Sequence, residues 1–232
     1  EDACGAMARA FEILHAKIMR PEKQSGLPRR LVYTEFADAF FMWGICFVSM
    51  FGEYAAHLFP FAEMLDNFYA KQHPDGFICR QIDMHTGQDQ FERHDPSSTG
   101  PNILALAEWR HFLATGDRER LARVYGPLLA FHRWLRKHRT WQNGGYFSSG
   151  WGSGMDNVPR FASEEYSPQF DTGHLCWIDT TAQQALNARM LLNIAEVCGI
   201  EAGREELARE YADLEQLINT RMWNDRDGCY QD

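Results

Sequence analysis

The sequence predicts an all-α protein whose helices pair into a closed double ring, with long loops gathered over one mouth. Three observations carry this. Apolar residues recur at helical spacing along most of the chain, and one helix is apolar almost all round, as an inner helix of a ring must be. Two stretches of about 30 residues, 73–100 and 140–172, show no periodicity although both lie between helices. Loops that long inside a compact domain are usually functional. An open solenoid would instead show short, similar loops and a repeat of roughly 30 to 47 residues.

Residues 6–19 have a helical rhythm that Pro21 closes. Residues 36–51 hold Phe40, Phe41, Trp43, Phe47 and Phe51, and predict a helix with no solvent face. Residues 53–71 are amphipathic, with Pro60 as a kink or a first turn. "HPDGFICRQID" alternates like a strand after a Pro-Asp-Gly turn. Helices follow over 102–115, 117–138, 180–198 and 203–222. Arg118-Glu119, Leu121-Ala122-Arg123 and Tyr125 match Arg204-Glu205, Leu207-Ala208-Arg209 and Tyr211. Each copy leads into a Trp-containing, Gly-Tyr loop, "WQNGGYF" or "WNDRDGCY". The unit of helix, turn, helix and aromatic loop therefore recurs at about 86 residues.

Composition narrows the function classes. The net charge is −9, and basic residues cluster only at Arg29-Arg30 and over 133–139, so no nucleic-acid partner is expected. No apolar run approaches the roughly 20 residues that span a bilayer, so no membrane partner is expected. The six cysteines form no CxxC pair and read as buried free thiols, which points to a reducing, cytoplasmic setting. Several of the tryptophans stand beside loops, where an indole often marks a ligand surface.

"GWGSGMDNVPR", residues 150–160, is the densest chemistry in the chain. Gly150, Gly152 and Gly154 oppose a helix and let the backbone approach a ligand. Trp151 offers a flat apolar face suited to the C–H face of a sugar. Asp156 is the motif's one carboxylate; beside Met155, at the floor of an apolar cavity, its pKa would rise as a general acid requires. Asn157 can donate to that carboxylate or to a hydroxyl, and Arg160 can hold a carboxylate or the loop's own carbonyls. The alternative is a surface turn with Asp156-Asn157 capping and Arg160 solvated. Residue chemistry alone leaves both open.

The octet "SGMDNVPR" resembles the S-G-M/W-D-N-S-P-R signature of the (α/α)6 glycoside hydrolases that include trehalases, mannosylglycerate hydrolases and family 63 α-glucosidases. In the same order, "FMWGICFVSM" resembles their W-D-x-x-F helix and "PDGFICRQ" their G-F-I-P-R loop. "TGPNILALAEW" resembles T-N-P-P-L-L-A-W-A, and "WIDTTAQQAL" resembles V-D-L-N-A-x. The resemblance implies an (α/α)6 toroid, here partial with about seven of twelve helices. It implies an inverting α-glycosidase acting on a glucoside or mannosylglycerate-like substrate, with no cofactor. Asp156 falls on the catalytic acid. Trp43 and Trp151 fall on the sugar subsite, and Arg80 and Asn102 on the same mouth, Asn102 displaced by two positions. The general base of these enzymes lies in the last third of the barrel, so residues 1–232 are expected to be the N-terminal and middle part of one catalytic domain.

The chain departs from the family pattern in three places. Gly44 replaces the aspartate of W-D, Gly152 replaces the glutamate of E-S-G, and T-N-P-P has become Thr99-Gly100-Pro101-Asn102. Gly44 and Gly152 motivate a second reading, a carbohydrate-binding or regulatory relative that kept the cup and Asp156 but lost catalysis; a helical scaffold whose loops hold no ligand is the third. Asp179 opens a helix, with capping as its first role and substrate contact its second. Glu164-Glu165 reads as solvated loop charge, and residues 133–139 as a helix end whose cations suit its dipole. His85, His94 and Asp95 share a loop, but their spacing fits no metal site, so no metal is expected.

Overall fold

Backbone structure follows the apolar rhythm except where proline or strand pairing intervenes. The computed structural model describes residues 3–32, 38–161, 165–167 and 169–232. Phe36, where the predicted apolar helix begins, and Glu164 of the predicted loop pair lie outside the described residues. Among those residues are eight α-helices and six short strands, which pair as three antiparallel ladders.

Helix α1 (Ala3–Ala16) stops short of the predicted Met19. Ile18–Met19 forms strand β1 and pairs with β2 (Leu31–Val32), because Pro21 cannot prolong the helix and the β-branched Ile18 suits extended backbone. The predicted apolar helix also starts late. Ala39–Phe41 is strand β3, joined to β4 (Gln81–Asp83) with Phe41 opposite Gln81, and helix α2 occupies Met42–Gly52. The expectation that α2 has no solvent face is corrected: Phe47 is 48% exposed, and Phe51 stacks on Phe11 of α1 at 4.7 Å. Residues 53–71 do not form one helix. Pro60, without an N–H, splits them into 3₁₀ turns at Glu53–Ala55 and Phe61–Leu65 before the short α3 (Asp66–Ala70).

The two repeated units are helical hairpins. Helix α4 (Leu104–Thr115) turns at Gly116 into α5 (Arg118–His138), whose N-cap Asp117 accepts from Arg120 N–H. A four-residue helix, α6 (Gly150–Ser153), interrupts the loop that follows. Helix α7 (Ile178–Cys198) then turns at Gly199 towards α8 (Arg204–Leu217). A π turn at Ile218–Met222 takes up the end of the predicted helix, and β5 (Trp223–Asn224) pairs with β6 (Cys229–Tyr230). The first unit ends likewise, in a bridge between Thr140 and Tyr146.

Packing joins α2 to α4, α4 and α5 to α7, and α7 to α8. The core between them includes Phe68, Phe77, Leu104, Phe131, Leu191 and Ile194, all buried. Two buried polar clusters tie the helices. Arg120 of α5 grips Glu108 of α4 through Nε and Nη2 at 2.7 and 2.8 Å, and Tyr69 donates to the same carboxylate at 2.8 Å. On the other side, His132 Nε2 lies 3.0 Å from Glu210 of α8, and Tyr146 donates its hydroxyl to that carboxylate. The Nδ1 of His132 accepts from Gln184 and Asn187 of α7, so the Nε2 hydrogen faces Glu210.

Candidate active site

The site begins where β3 becomes α2. Strand alternation followed by a helical turn sets Phe41 and Trp43 on one cavity wall. Main-chain bonds fix the next wall: Met42 N–H donates to the Arg80 carbonyl and Arg80 N–H to the Ser98 carbonyl, both at 2.8 Å. Arg80, only 3% exposed, donates Nε to the Ser97 carbonyl. Its guanidinium lies 4.9, 4.4 and 5.6 Å from the ring centroids of Phe41, Phe91 and Trp151. Burial pushes its pKa down to about 10, partly offset by the carboxylates of Asp95 and Asp156.

A second set of bonds carries the glycine motif. Buried Arg139 donates to the carbonyls of Arg93 and Asp95 at 3.1 and 2.8 Å and to Ser98 Oγ at 3.1 Å. Arg139 is thus a loop staple as well as a helix end, and burial pushes it down to about 10. Asp95 caps the 3₁₀ turn Pro96–Ser98 through Ser97 N–H. Ser97 and Ser149 share a hydroxyl bond of 2.7 Å, and Ser149 Oγ accepts from Gly152 N–H as the N-cap of α6. That cap supports one helical turn despite the glycines, which corrects the expectation of a wholly irregular loop. A Cβ on Gly152 would lie within 2.5 Å of both Ser148 Oγ and the Pro96 carbonyl, so only glycine fits. Gly154 ends the turn at φ 77° beside Trp43, and Asp156 follows.

These walls enclose a cavity of about 460 Å³. Phe41, Trp43, Trp151 and Pro101 supply apolar groups to its lining; Arg80, Gln81 and Asp156 supply the polar side chains, and Gly100 and Gly154 complete it. The volume suits a small ligand held by a few oriented polar groups. Asp156 is half-buried, and among the described residues no hydrogen bond reaches its carboxylate.

Of the sequence-predicted residues, Asp156, Trp43, Arg80 and Trp151 come together on this cavity. The others do not line it. Asn102 is buried behind the wall and gives its amide N–H to Gln184 at 2.8 Å. Asn157 is exposed. Arg160 is turned away from the cavity: Nη2 meets Asp179 at 2.5 Å, Nη1 meets Asp232, and the guanidinium lies 4.0 Å above the centroid of Trp177. Asp179 therefore faces a protein cation, and burial raises its pKa against the pull of Arg160. Phe41, Gln81 and Pro101 line the cavity without having been singled out as site residues; Gln81 adjoins Arg80, and that adjacency was the available signal. His85 bonds Glu22 and Asp95 caps its turn, and among the described residues no group of three or more His, Cys, Asp or Glu side chains is placed to hold a metal ion. No helix among the described residues is long and apolar enough to cross a membrane.

Residues 60–232 match the model of the mannosylglycerate hydrolase MGH1-like glycoside hydrolase domain. The chain belongs to this family. Within the MGH1-like domain the match takes in Arg80 and the whole glycine motif, while Phe41 and Trp43 precede it. An uncharacterized protein of Borreliella burgdorferi is 24% identical over 215 residues, which are 93% of this chain and 43% of that protein. Two crystal structures from Thermus thermophilus share the fold at TM-score 0.72 and 18% identity. One is an uncharacterized conserved protein, and the other is a GH63 mannosylglycerate hydrolase in complex with Tris and D-glycerate. Each matches 97% of this chain, which spans 64% and 66% of those structures. The MGH1-like chain is thus all-α and forms part of an (α/α) toroid.

Proposed function

We propose that the cavity is the sugar subsite of an inverting α-glycosidase, acting on a glucoside or a mannosylglycerate-like substrate, with Asp156 as proton donor. One observation carries the proposal: the motif's carboxylate stands in an aromatic cavity and, among the described residues, no hydrogen bond occupies it. Trp43 and Trp151 present faces to a sugar ring, and Asp156 protonates the departing glycosidic oxygen. A second carboxylate, supplied by the remainder of the polypeptide, activates water from the opposite face at about 6.5–9.5 Å from Asp156. The six cysteines are free thiols, although only Cys46 and Cys79 are buried and Cys4 and Cys229 are exposed, against the expectation that all are buried; free thiols support a cytoplasmic setting.

The test is Asp156→Asn in the full-length polypeptide, assayed on alkyl α-glucosides and mannosylglycerate. Turnover is expected to fall by about 10²–10⁴-fold while tryptophan fluorescence still reports sugar binding. Normal turnover in the variant would remove Asp156 from the role. A second reading rests on Gly152: the space where the family pattern has a glutamate is closed by Ser148 and Pro96, and Asp156 is the one carboxylate among the described residues that line the cavity. A non-catalytic sugar-binding relative would show saturable binding by the wild-type polypeptide and no hydrolysis.

A further inference from the structure

We infer that Asp179 and Gln183 are positioning residues that hold the general acid in place from helix α7. This rests on the proposed role of Asp156 and adds the device that fixes its position. The carboxylate of Asp156 has no hydrogen bond of its own among the described residues, so its location is set by the backbone of residues 153–160. That backbone is fastened at both ends to one helix. At the near end, Gln183 Nε2 donates to the Ser153 carbonyl at 3.0 Å. At the far end, Asp179 receives Arg160 Nη2 at 2.5 Å, and Trp177, immediately before α7, lies beneath the same guanidinium. Asp179 and Gln183 are four residues apart, one helical turn, so both face the motif from the same side of α7.

Between the anchors the segment is held by short-range turns: Met155 N–H to the Gly150 carbonyl at 3.0 Å, and Arg160 N–H to the Val158 carbonyl at 2.9 Å. Such turns fix local shape without fixing where the segment sits relative to Trp43 and Arg80. The anchors supply that. Arg160 has a side chain only 6% exposed, and its Nε is buried without a partner among the described residues. An arginine that reached for substrate would leave its donors open to the cavity; here two carboxylates and an indole hold it. The same helix supplies Gln184, whose Oε1 accepts from buried Asn102, the residue that follows Pro101 of the cavity lining. Helix α7 therefore also ties the Pro101 segment beside Gly154 to the same rigid body.

The experiment compares Asp179→Asn and Gln183→Ala with wild type in the full-length polypeptide, on an alkyl α-glycoside and on its 4-nitrophenyl counterpart. The alkyl group leaves only when protonated, whereas nitrophenolate needs little help, so a displaced acid penalises the first substrate selectively. The alkyl glycoside is expected to lose about ten- to hundredfold in kcat with KM little changed. The nitrophenyl glycoside is expected to lose less than about threefold. Equal losses on both substrates, or rates like wild type, would overturn the inference. Should Asp179→Asn fail to fold, Gln183→Ala, which removes one hydrogen bond to a carbonyl, gives the answer alone. Asp156→Asn is run alongside: if it too is fully active, the proposed function has failed, and if it is inactive while both α7 variants are normal, only the positioning role has.

Discussion

Arg120 and Arg80 are each 3% exposed, yet they sit in opposite chemical settings. Arg120 meets Glu108 with two bonds, Asp66 at 3.0 Å and the Ala62 carbonyl at 2.7 Å. Burial alone would favour loss of its proton, but Glu108 and Asp66 reverse this and raise its pKa. Arg80 has one carbonyl and three aromatic rings, and among the described residues no carboxylate stands within ion-pair distance of it. Equal depth thus serves two purposes. A fully paired cation joins helices, whereas a cation left among rings at a cavity wall is a stability cost, and the proposed function gives it a ligand to meet.

The contrast can be broken in four ways. Arg120→Met strands the Glu108 charge, so a loss of about 3–5 kcal/mol is expected. Thermal melts should then shift down by on the order of 10 °C; a shift of a degree or two would deny that pairing stabilises this region. Arg80→Met should stay within about 1 kcal/mol of wild type in unfolding experiments, since a desolvated charge leaves with its one carbonyl bond. Sugar affinity of the full-length polypeptide should meanwhile fall roughly tenfold or more. A variant that binds normally, or that melts like Arg120→Met, would erase the distinction.

Glu53 is the acidic counterpart of Arg80, with a buried Oε1 that has no hydrogen-bond partner among the described residues. Burial raises its pKa from 4.5 to about 7; Arg110 opposes the shift and Glu108 adds to it. Between those two values the folded protein keeps a proton that the unfolded chain has lost, so stability falls as pH rises through the window. Glu53→Gln should therefore gain on wild type in Tm from pH 4.5 to pH 7 and hold that gain above it. A difference independent of pH would show that Glu53 does not titrate there. The smallest effect is expected for Arg133→Ala, which removes an exposed pair with Glu206 at 2.8–2.9 Å. A loss of at most about 1 kcal/mol in a denaturant titration fits a solvent-screened pair.

What the sequence made legible was local. The chemistry of "SGMDN" and the arginine after "GFIC" placed Asp156, Trp151 and Arg80 on one cavity, because each motif carries its own backbone geometry. Helices α4, α5, α7 and α8 were readable for the same reason, their periodicity being a property of adjacent turns. Partnerships between distant segments were not readable. Asn102 looked like a sugar ligand until Gln184, 82 residues away, took its amide. Arg160 and Asp179 each looked available, and the fold pairs them with one another. Helix α6 was hidden by its glycines, since propensity argues against a turn that one serine cap at Ser149 sustains.

The junction of β3, α2 and β4 has one more implication. Trp43 and Arg80 both line the cavity, and the Met42 N–H to Arg80 carbonyl bond, with the ladder beside it, joins their segments. The spacing of these two neighbouring walls is therefore a main-chain dimension. Side chains there can be exchanged during divergence, altering which ligand is welcome, while the aperture itself is inherited unchanged.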